Sequence, residues 1–314
     1  MTGATGFIGR ALCPLLLRCG FEVCAAVRGN VAGIEPGIEA IRINALVPET
    51  DWSAAMQRCD AVVHLAGLAH VLGERGADAA ARIRAVNVEA TEHLARAAAH
   101  AGVRRLVFVS SAKVHGDRSV DRPWTEQDSP KPQDPYSRSK WEAEQALESV
   151  LRTTALEMTI LRPPLVYGPG VKANFLRLLK TIDRGLPIPL GAIRNQRSLI
   201  YVGNLADAIA CSLRHPGAAN RTFLVTDGKD VSTPQLIRYV AAALGRPARL
   251  INVPARMLGL AASVLGRRAD FDRLVGNFVV DSSAIRRDLG WTPPETFEEG
   301  IRATAEWYLR ERRK

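Results

Sequence analysis

No apolar stretch in the 314 residues reaches the roughly 18 to 20 that a membrane-spanning helix needs. The longest candidate, residues 255–266, is shorter and is interrupted by Arg256 and by glycines. Aromatic residues are scarce at 6%, and no basic stripe is interleaved with them, so nucleic acid is not an expected partner. The five cysteines (Cys13, Cys19, Cys24, Cys59, Cys211) form neither a CxxC pair nor a pairable framework, which excludes a disulfide scaffold. They read as reduced, mostly buried thiols of a cytoplasmic protein. The six histidines lack metal-ligand spacing and His64 reads as core, so no metal is expected. No secretory signal is expected either, because the chain opens directly on a glycine-rich loop.

What is present is ordinary globular material, with 47% apolar and 24% charged residues in a length sufficient for one large or two modest domains. The 42 basic residues exceed the 32 acidic ones, giving +10, a balance that draws anionic partners. Except for a cluster at 310–314 the basic residues are dispersed, as on solvated faces. Short apolar runs at 21–27, 38–43, 61–65, 106–109 and 158–161 read as strands buried on both faces. Helical patterns separate them at 8–19, 79–101 and 137–152. Alternation of this kind predicts an α/β fold with a doubly wound parallel sheet. After Pro163 proline and glycine become denser and helices at 172–184, 204–214, 233–244, 255–265 and 297–312 dominate. The expected division is a dinucleotide-binding domain at 1–163, with returning segments near 199–226, and a smaller, mostly helical substrate domain at 164–314.

The loop TGATGFIG at 2–9 places Gly3, Gly6 and Gly9 in a GxxGxxG spacing that runs into a helix. Such glycines let the backbone turn tightly against a pyrophosphate, and the helix N-terminus offers free N–H groups with a partial positive charge. The residue after the second strand selects the cofactor, since an acid there would bond the ribose 2′-hydroxyl of NAD. Arg28 stands there instead, and a guanidinium suits a 2′-phosphate, so NADP is permitted beside NAD. The loop should follow a strand, yet only Met1 precedes Thr2. In a doubly wound sheet that first strand is central, so the expectation is a missing strand, from a misassigned start or a fragment.

Tyr136 and Lys140 stand four residues apart on one helix face, behind Pro135 at the helix start. An ammonium near a phenol favours the phenolate, which predicts a Tyr136 pKa lowered towards neutral and a usable general acid/base. Upstream, Val107-Phe108-Val109-Ser110-Ser111 is a strand ending in two hydroxyls. At the C-terminal end of a parallel strand Ser111 faces the ligand crevice and is the expected substrate hydrogen-bond partner, with Ser110 second.

TGATGFIG, HLAG at 64–67, VNVEAT around Asn87, VSSAKVHG, PYSRSK and RPPLVYGPG together resemble the extended short-chain dehydrogenase/reductase superfamily, over nearly the whole chain. Within it the sequence resembles the nucleotide-sugar epimerase/dehydratase family, and the UDP-glucose 4-epimerase-like enzymes in particular. The resemblance implies a Rossmann sheet, NAD or NADP, a nucleotide-sugar substrate and a homodimer. It implies Ser111, Tyr136 and Lys140 as catalytic residues, with Asn87 supporting the nearby helix. The cofactor would lie along Gly3, Gly6, Phe7, Ile8 and Gly9, with Arg28, Asn44 near the adenine, and Leu65, Ala66 and Asn87. Asn174 and Arg197 would bind the UDP diphosphate, with Arg273 a third candidate before a strand-like 278–280. Residues 281–291 resemble the family's C-terminal helix and WxP turn, a structural feature. The 4,6-dehydratases of the family carry an Asp-Glu pair where this chain has Ala112 and Lys113, which argues against elimination of water. Lys113 reads as a solvated loop lysine or a contact to a phosphate or sugar oxygen. His115 stands where the family often has tyrosine.

Three functions fit these residues. The first is a nucleotide-sugar 4-epimerase acting by transient oxidation at C4, and the second an NADPH-dependent 4-keto-sugar reductase. The third, a non-catalytic NADP-sensing protein, is disfavoured by the intact Ser111, Tyr136 and Lys140. The amphipathic stretch at 255–265 would permit a peripheral contact with a membrane or a polyprenyl-linked sugar, although a buried helix is the favoured reading.

Overall fold

The computed structural model describes residues 1–29, 34–68, 77–264, 266 and 268–312. Its elements in chain order are α1 (Phe7–Arg18), β1 (Cys24–Val27), β2 (Glu39–Arg42), α2 (Ser53–Met56), β3 (Ala61–His64), α3 (Ala77–Arg84), α4 (Ala90–His100), β4 (Arg105–Val109) and α5 (Pro135–Leu151). There follow β5 (Glu157–Arg162), β6 (Leu165–Tyr167), α6 (Ala173–Asp183), β7 (Leu199–Tyr201), α7 (Val202–Arg214), β8 (Arg221–Leu224), α8 (Thr233–Ala243), α9 (Ala255–Val264), α10 (Arg268–Val275), α11 (Ser283–Leu289) and α12 (Phe297–Arg312). Valine- and isoleucine-rich runs become the central strands because branched side chains pack well on a pleated surface.

All strand pairs are parallel: β1 with β2, the group β3-β4-β5-β8, and β6 with β7. Thr2 bridges Ala26 of β1 and His64 of β3. Its N–H donates to the Val63 carbonyl at 3.0 Å, and the Ala26 N–H donates to the Met1 carbonyl at 2.8 Å. Met1 and Thr2 therefore occupy the central slot where the sequence pattern calls for a first strand.

Every residue of β4 is buried, and its side chains alternate between two cores. Val107 and Val109 pack with Leu12 and Leu16 of α1 and with Leu205 and Ile209 of α7. Leu106 and Phe108 pack with Leu94 and Ala98 of α4 and with Leu147 and Val150 of α5. Helices thus cover both faces, as the doubly wound reading requires. Each aliphatic side chain so buried contributes about 1.5–3 kcal/mol. A third core joins Phe175 and Leu179 of α6, Ile237 of α8 and Phe297 of α12 around Tyr167.

The pattern at 79–101 runs helical without a break from Ala77 to His100, with a π turn at Ala85–Glu89 between α3 and α4 that carries Asn87. Two expectations are corrected. Residues 278–280 make isolated bridges to Trp124 and Arg197 rather than a strand, because the chain there crosses two different partners. Finally, α9 is not a buried helix; Gly259 is its one buried residue. Small residues on its inner side allow close approach to α10, and a Cβ at Gly259 would lie 3.3 Å from Phe271 and 3.2 Å from Arg268. Met257, Leu260 and Val264 turn outward. Among the described residues no helix is long and apolar enough to cross a membrane.

Candidate active site

The glycine loop is shaped by sterics. Gly3 has φ +73°, and a Cβ there would stand 2.9 Å from the Ala66 nitrogen. A Cβ on Gly9 would stand 2.2 Å from the Gly3 carbonyl oxygen, which no side chain tolerates. The Gly6 N–H donates to the Gly3 carbonyl at 3.0 Å, and Gly6 caps α1 without a side-chain bond. The first-turn N–H groups of Phe7, Ile8 and Gly9 lack intrahelical acceptors, at the positive end of the helix. This open cradle of bare backbone fits a pyrophosphate. Leu65 and Ala66 close its other side, and the Ala66 N–H reaches Thr2 Oγ1 at 3.3 Å. Beneath it His64 is core, as expected: its Nδ1 bonds Thr2 Oγ1 at 2.7 Å and its Nε2 bonds Thr91 Oγ1 at 2.9 Å. Burial, helped by the charge of Lys140, pushes its pKa down to about 3, so the ring is a neutral strut. Arg28 just past β1 and Asn44 just past β2 are exposed at the ends of their strands.

Ser111 follows β4 and caps the short 3₁₀ turn Ala112–His115, its Oγ accepting the Lys113 N–H at 3.2 Å. Tyr136 and Lys140 lie in the first turns of α5, which begins with a capping box between Asp134 and Ser137. Lys140 is buried, donates to the Val109 carbonyl at 2.9 Å and lies 4.5 Å from the centre of the Phe108 ring. Burial pushes its pKa down to about 8, against the opposing pull of Glu144. A Cβ at Gly67 would lie 3.5 Å from Lys140 Nζ and 3.1 Å from Asn87 Oδ1, so the HLAG segment passes directly over both groups.

The tyrosine departs from expectation. Its phenol is not lowered towards neutral but pushed up to about 12, by burial first and by the charge of Asp134 second. The ammonium of Lys140 donates to the Val109 carbonyl, and desolvation sets the direction of the phenol's shift.

Asn87 is fully used within the protein. Its Oδ1 accepts the Leu68 N–H at 2.7 Å, and its Nδ2 donates to the Leu68 carbonyl and to Ser139 Oγ, both at 2.9 Å. The π turn thus ties the loop after β3 to the Tyr–Lys helix.

Sequence reasoning did not find the buried brace behind these residues. Arg162, at the end of β5, forks onto Glu144 of α5, with Nε 3.1 and 3.2 Å from its two oxygens. Ser110 donates to the same carboxylate, and Arg162 Nη1 donates to His115 Nε2 at 3.0 Å. Ser110, His115, Glu144 and Arg162 are all buried. Burial and the Arg162 charge hold His115 down at about 4, and its ring stacks on Trp124. The signal in the sequence was an acid one turn beyond Lys140 and an arginine closing a core strand, neither decisive alone.

On the substrate side the structure brings Arg197 and Arg273 together. Arg197 Nη1 donates to the Arg273 carbonyl at 2.8 Å, and Arg273 Nε pairs with Asp117 at 2.9 Å. Lys113 ion-pairs with Asp134 and, at 3.7 Å, with Asp117, so it is not a solvated loop lysine. These pairs link the turn after Ser111, the start of α5 and the end of α10. Asn174, in the first turn of α6, is exposed.

Known proteins resemble this chain in sequence and in fold. The sequence profile described as the NAD dependent epimerase/dehydratase family matches residues 1–225. A UDP-glucose 4-epimerase of Vibrio cholerae is 39% identical over 98% of this chain and 94% of its own. MoeE5, solved with UDP-glucuronic acid and NAD, superposes with a TM-score of 0.80 at 26% identity, over 99% of this chain and 98% of its own. A Thermus thermophilus UDP-glucose 4-epimerase in complex with NAD gives 0.79 at 25% identity, over 98% and 97%. Fold and sequence agree: the chain belongs to the NAD-dependent epimerase/dehydratase family of enzymes.

Proposed function

We propose that the protein is a nucleotide-sugar 4-epimerase working through transient oxidation at C4 of the sugar, with a UDP-hexose or UDP-N-acetylhexosamine as substrate. The observation that carries this reading is the placement of Ser111, Tyr136 and Lys140 at the end of β4 and the start of α5, next to the strand-flanked glycine cradle. Residues 1–163, with segments near 199–226 (α7 and β8 among them) returning, would form the cofactor domain, and the rest of 164–314 the substrate domain. NAD held along Gly3, Gly6 and Gly9 would supply the acceptor for the C4 hydride and its return to the opposite face of the 4-keto sugar, together with a positive charge that favours the phenolate. Ser111 would hold the O4 atom, Tyr136 would take and return its proton, and Lys140 would supply positive charge from beneath. The fully bonded Asn87 would keep α5 in place. Arg197 and Arg273 would face the diphosphate, exchanging backbone and Asp117 contacts for phosphate oxygens. Asn174 would approach the same group from α6.

Ala112 and Lys113 leave the turn after Ser111 without the carboxylate pair that elimination of water would use. One observation favours a second reading, a 4-keto-sugar reductase: Arg28 is exposed at the end of β1, where a 2′-phosphate would mark NADPH. A homodimer through two helices of the cofactor domain accompanies either reading and is checked by analytical ultracentrifugation.

The test is to offer UDP-glucose, UDP-N-acetylglucosamine and a 4-keto nucleotide sugar with NAD or NADPH. Epimer formation without net cofactor consumption supports the epimerase, whereas stoichiometric NADPH oxidation supports the reductase. Arg28→Asp should move the affinity ratio towards NAD; an unchanged ratio removes the role of Arg28.

A further inference from the structure

On α9 the apolar side chains face solvent: Met257 is 61% exposed, Leu260 68% and Val264 88%. Their spacing of three and four residues puts them on one stripe. The inner side is made of Leu258, Gly259 and Ala262, against α10. Among the described residues, none of α9 joins a core cluster. An outward stripe of large apolar residues is unusual on a monomer and marks a contact surface. α9 itself carries Arg256 and no acid, and residues 246–275 contain six arginines against two aspartates, although Arg246, Arg268 and Arg273 are ion-paired with Asp183, Asp272 and Asp117. Arg256, on α9 beside the stripe, is exposed, and so is Arg268 on α10.

We infer that α9 and its arginine border form a docking surface for an anionic lipid bilayer. The stripe enters the boundary between headgroups and acyl chains, while the guanidinium groups meet lipid phosphates. A second copy of the chain is a poorer occupant, because a face-to-face pair would set these arginines against each other. Three side chains on a ten-residue helix also fall short of the 20 to 30 residues a side of a stable protein interface. Since Arg273 of α10 is tied to Asp117, bilayer contact at α9 would hold the substrate side of the molecule close to the membrane surface. The surface itself does not depend on the proposed epimerase chemistry.

The experiment is co-sedimentation of the full chain with vesicles of phosphatidylglycerol and phosphatidylethanolamine, and with vesicles of phosphatidylcholine alone. The expected result is binding to the anionic vesicles only, weakened by salt. Leu260→Glu should lower partitioning roughly tenfold or more, from the lost burial of one leucine and the added negative charge. Arg256→Glu should lower it by a smaller factor. Both positions are exposed, so folding is expected to survive, and the melting temperature of each variant checks this. Activity of Leu260→Glu on a free nucleotide sugar should equal that of the parent, which separates loss of docking from failure of the catalytic reading. No binding to anionic vesicles at low salt overturns the inference. So does undiminished binding by Leu260→Glu, which would leave only the overall positive charge, and so does a dimer that Leu260→Glu converts to monomer without lipid.

Discussion

The two sides of the candidate site are built differently. On the cofactor side the groups nearest the reaction centre are fixed by inward bonds: His64 between two threonines, Asn87 by three contacts, Lys140 on a strand carbonyl. On the substrate side Asn174 is exposed, and Arg273 and Lys113 make ion pairs at partly exposed positions. A buried, fully bonded group holds its geometry before any ligand arrives. Partly exposed ion pairs are worth little and exchange readily for a phosphate. The difference separates a preorganised reaction centre from a binding face that completes itself around the substrate.

The largest effect is expected from the reaction centre. Tyr136→Phe should lower kcat by roughly 10²- to 10⁴-fold, the range of general acid/base catalysis, with the melting temperature nearly unchanged. A variant retaining full activity would remove the tyrosine from the chemistry.

Breaking the brace comes next. Glu144→Gln leaves Arg162 buried without its partner, which costs about 3–5 kcal/mol in urea unfolding. The same substitution removes the charge that raises the Lys140 pKa, so the alkaline fall of kcat should move to lower pH. A stability loss with an unmoved pH profile would make the brace purely structural.

The pH dependence of the parent protein has two limbs. Lys140 loses its proton near pH 8, so kcat should fall as pH rises through about 8. The fold should gain there, because the unfolded lysine keeps its proton to higher pH. On the acid side His64 is neutral in the fold down to about pH 3, whereas the unfolded ring protonates near 6.5. The unfolded state therefore binds more protons between those values, and stability should drop as pH falls from about 6.5 towards 3. Melting temperatures across that range check this, and a flat profile would contradict the burial of the ring. His64→Gln should flatten part of the slope.

The smallest effect is expected on the substrate side. Lys113→Ala removes a partly exposed pair worth at most about 1 kcal/mol in stability. It leaves Asp134 less compensated beside Tyr136, so kcat should fall modestly while KM changes less. A large loss of stability would show the substrate side to be as rigid as the cofactor side.

Steric and periodic features were legible in the sequence. The glycine loop reads directly because positions 3 and 9 have no room for a side chain, and the central strands read because β4 is buried on both faces. The Tyr136–Lys140 spacing also held, since helix geometry is local. What stayed hidden depends on contacts distant in sequence. The fork of Arg162 onto Glu144 spans 18 residues and its bond to His115 spans 47. The high phenol pKa follows from burial and from Asp134, neither of which a YxxxK spacing encodes. The exposure of α9 was misjudged because an apolar stripe has the same period whether it faces a core or the solvent.

The central claim is that the sugar is oxidised and reduced again at C4 within one binding event. Epimerisation of a UDP-hexose carrying deuterium at C4, followed by mass spectrometry and proton NMR, tests it most directly. The account predicts that the label stays on C4 in the epimer and that none appears in water. Loss of the deuterium to solvent, or its recovery at another carbon, would contradict it.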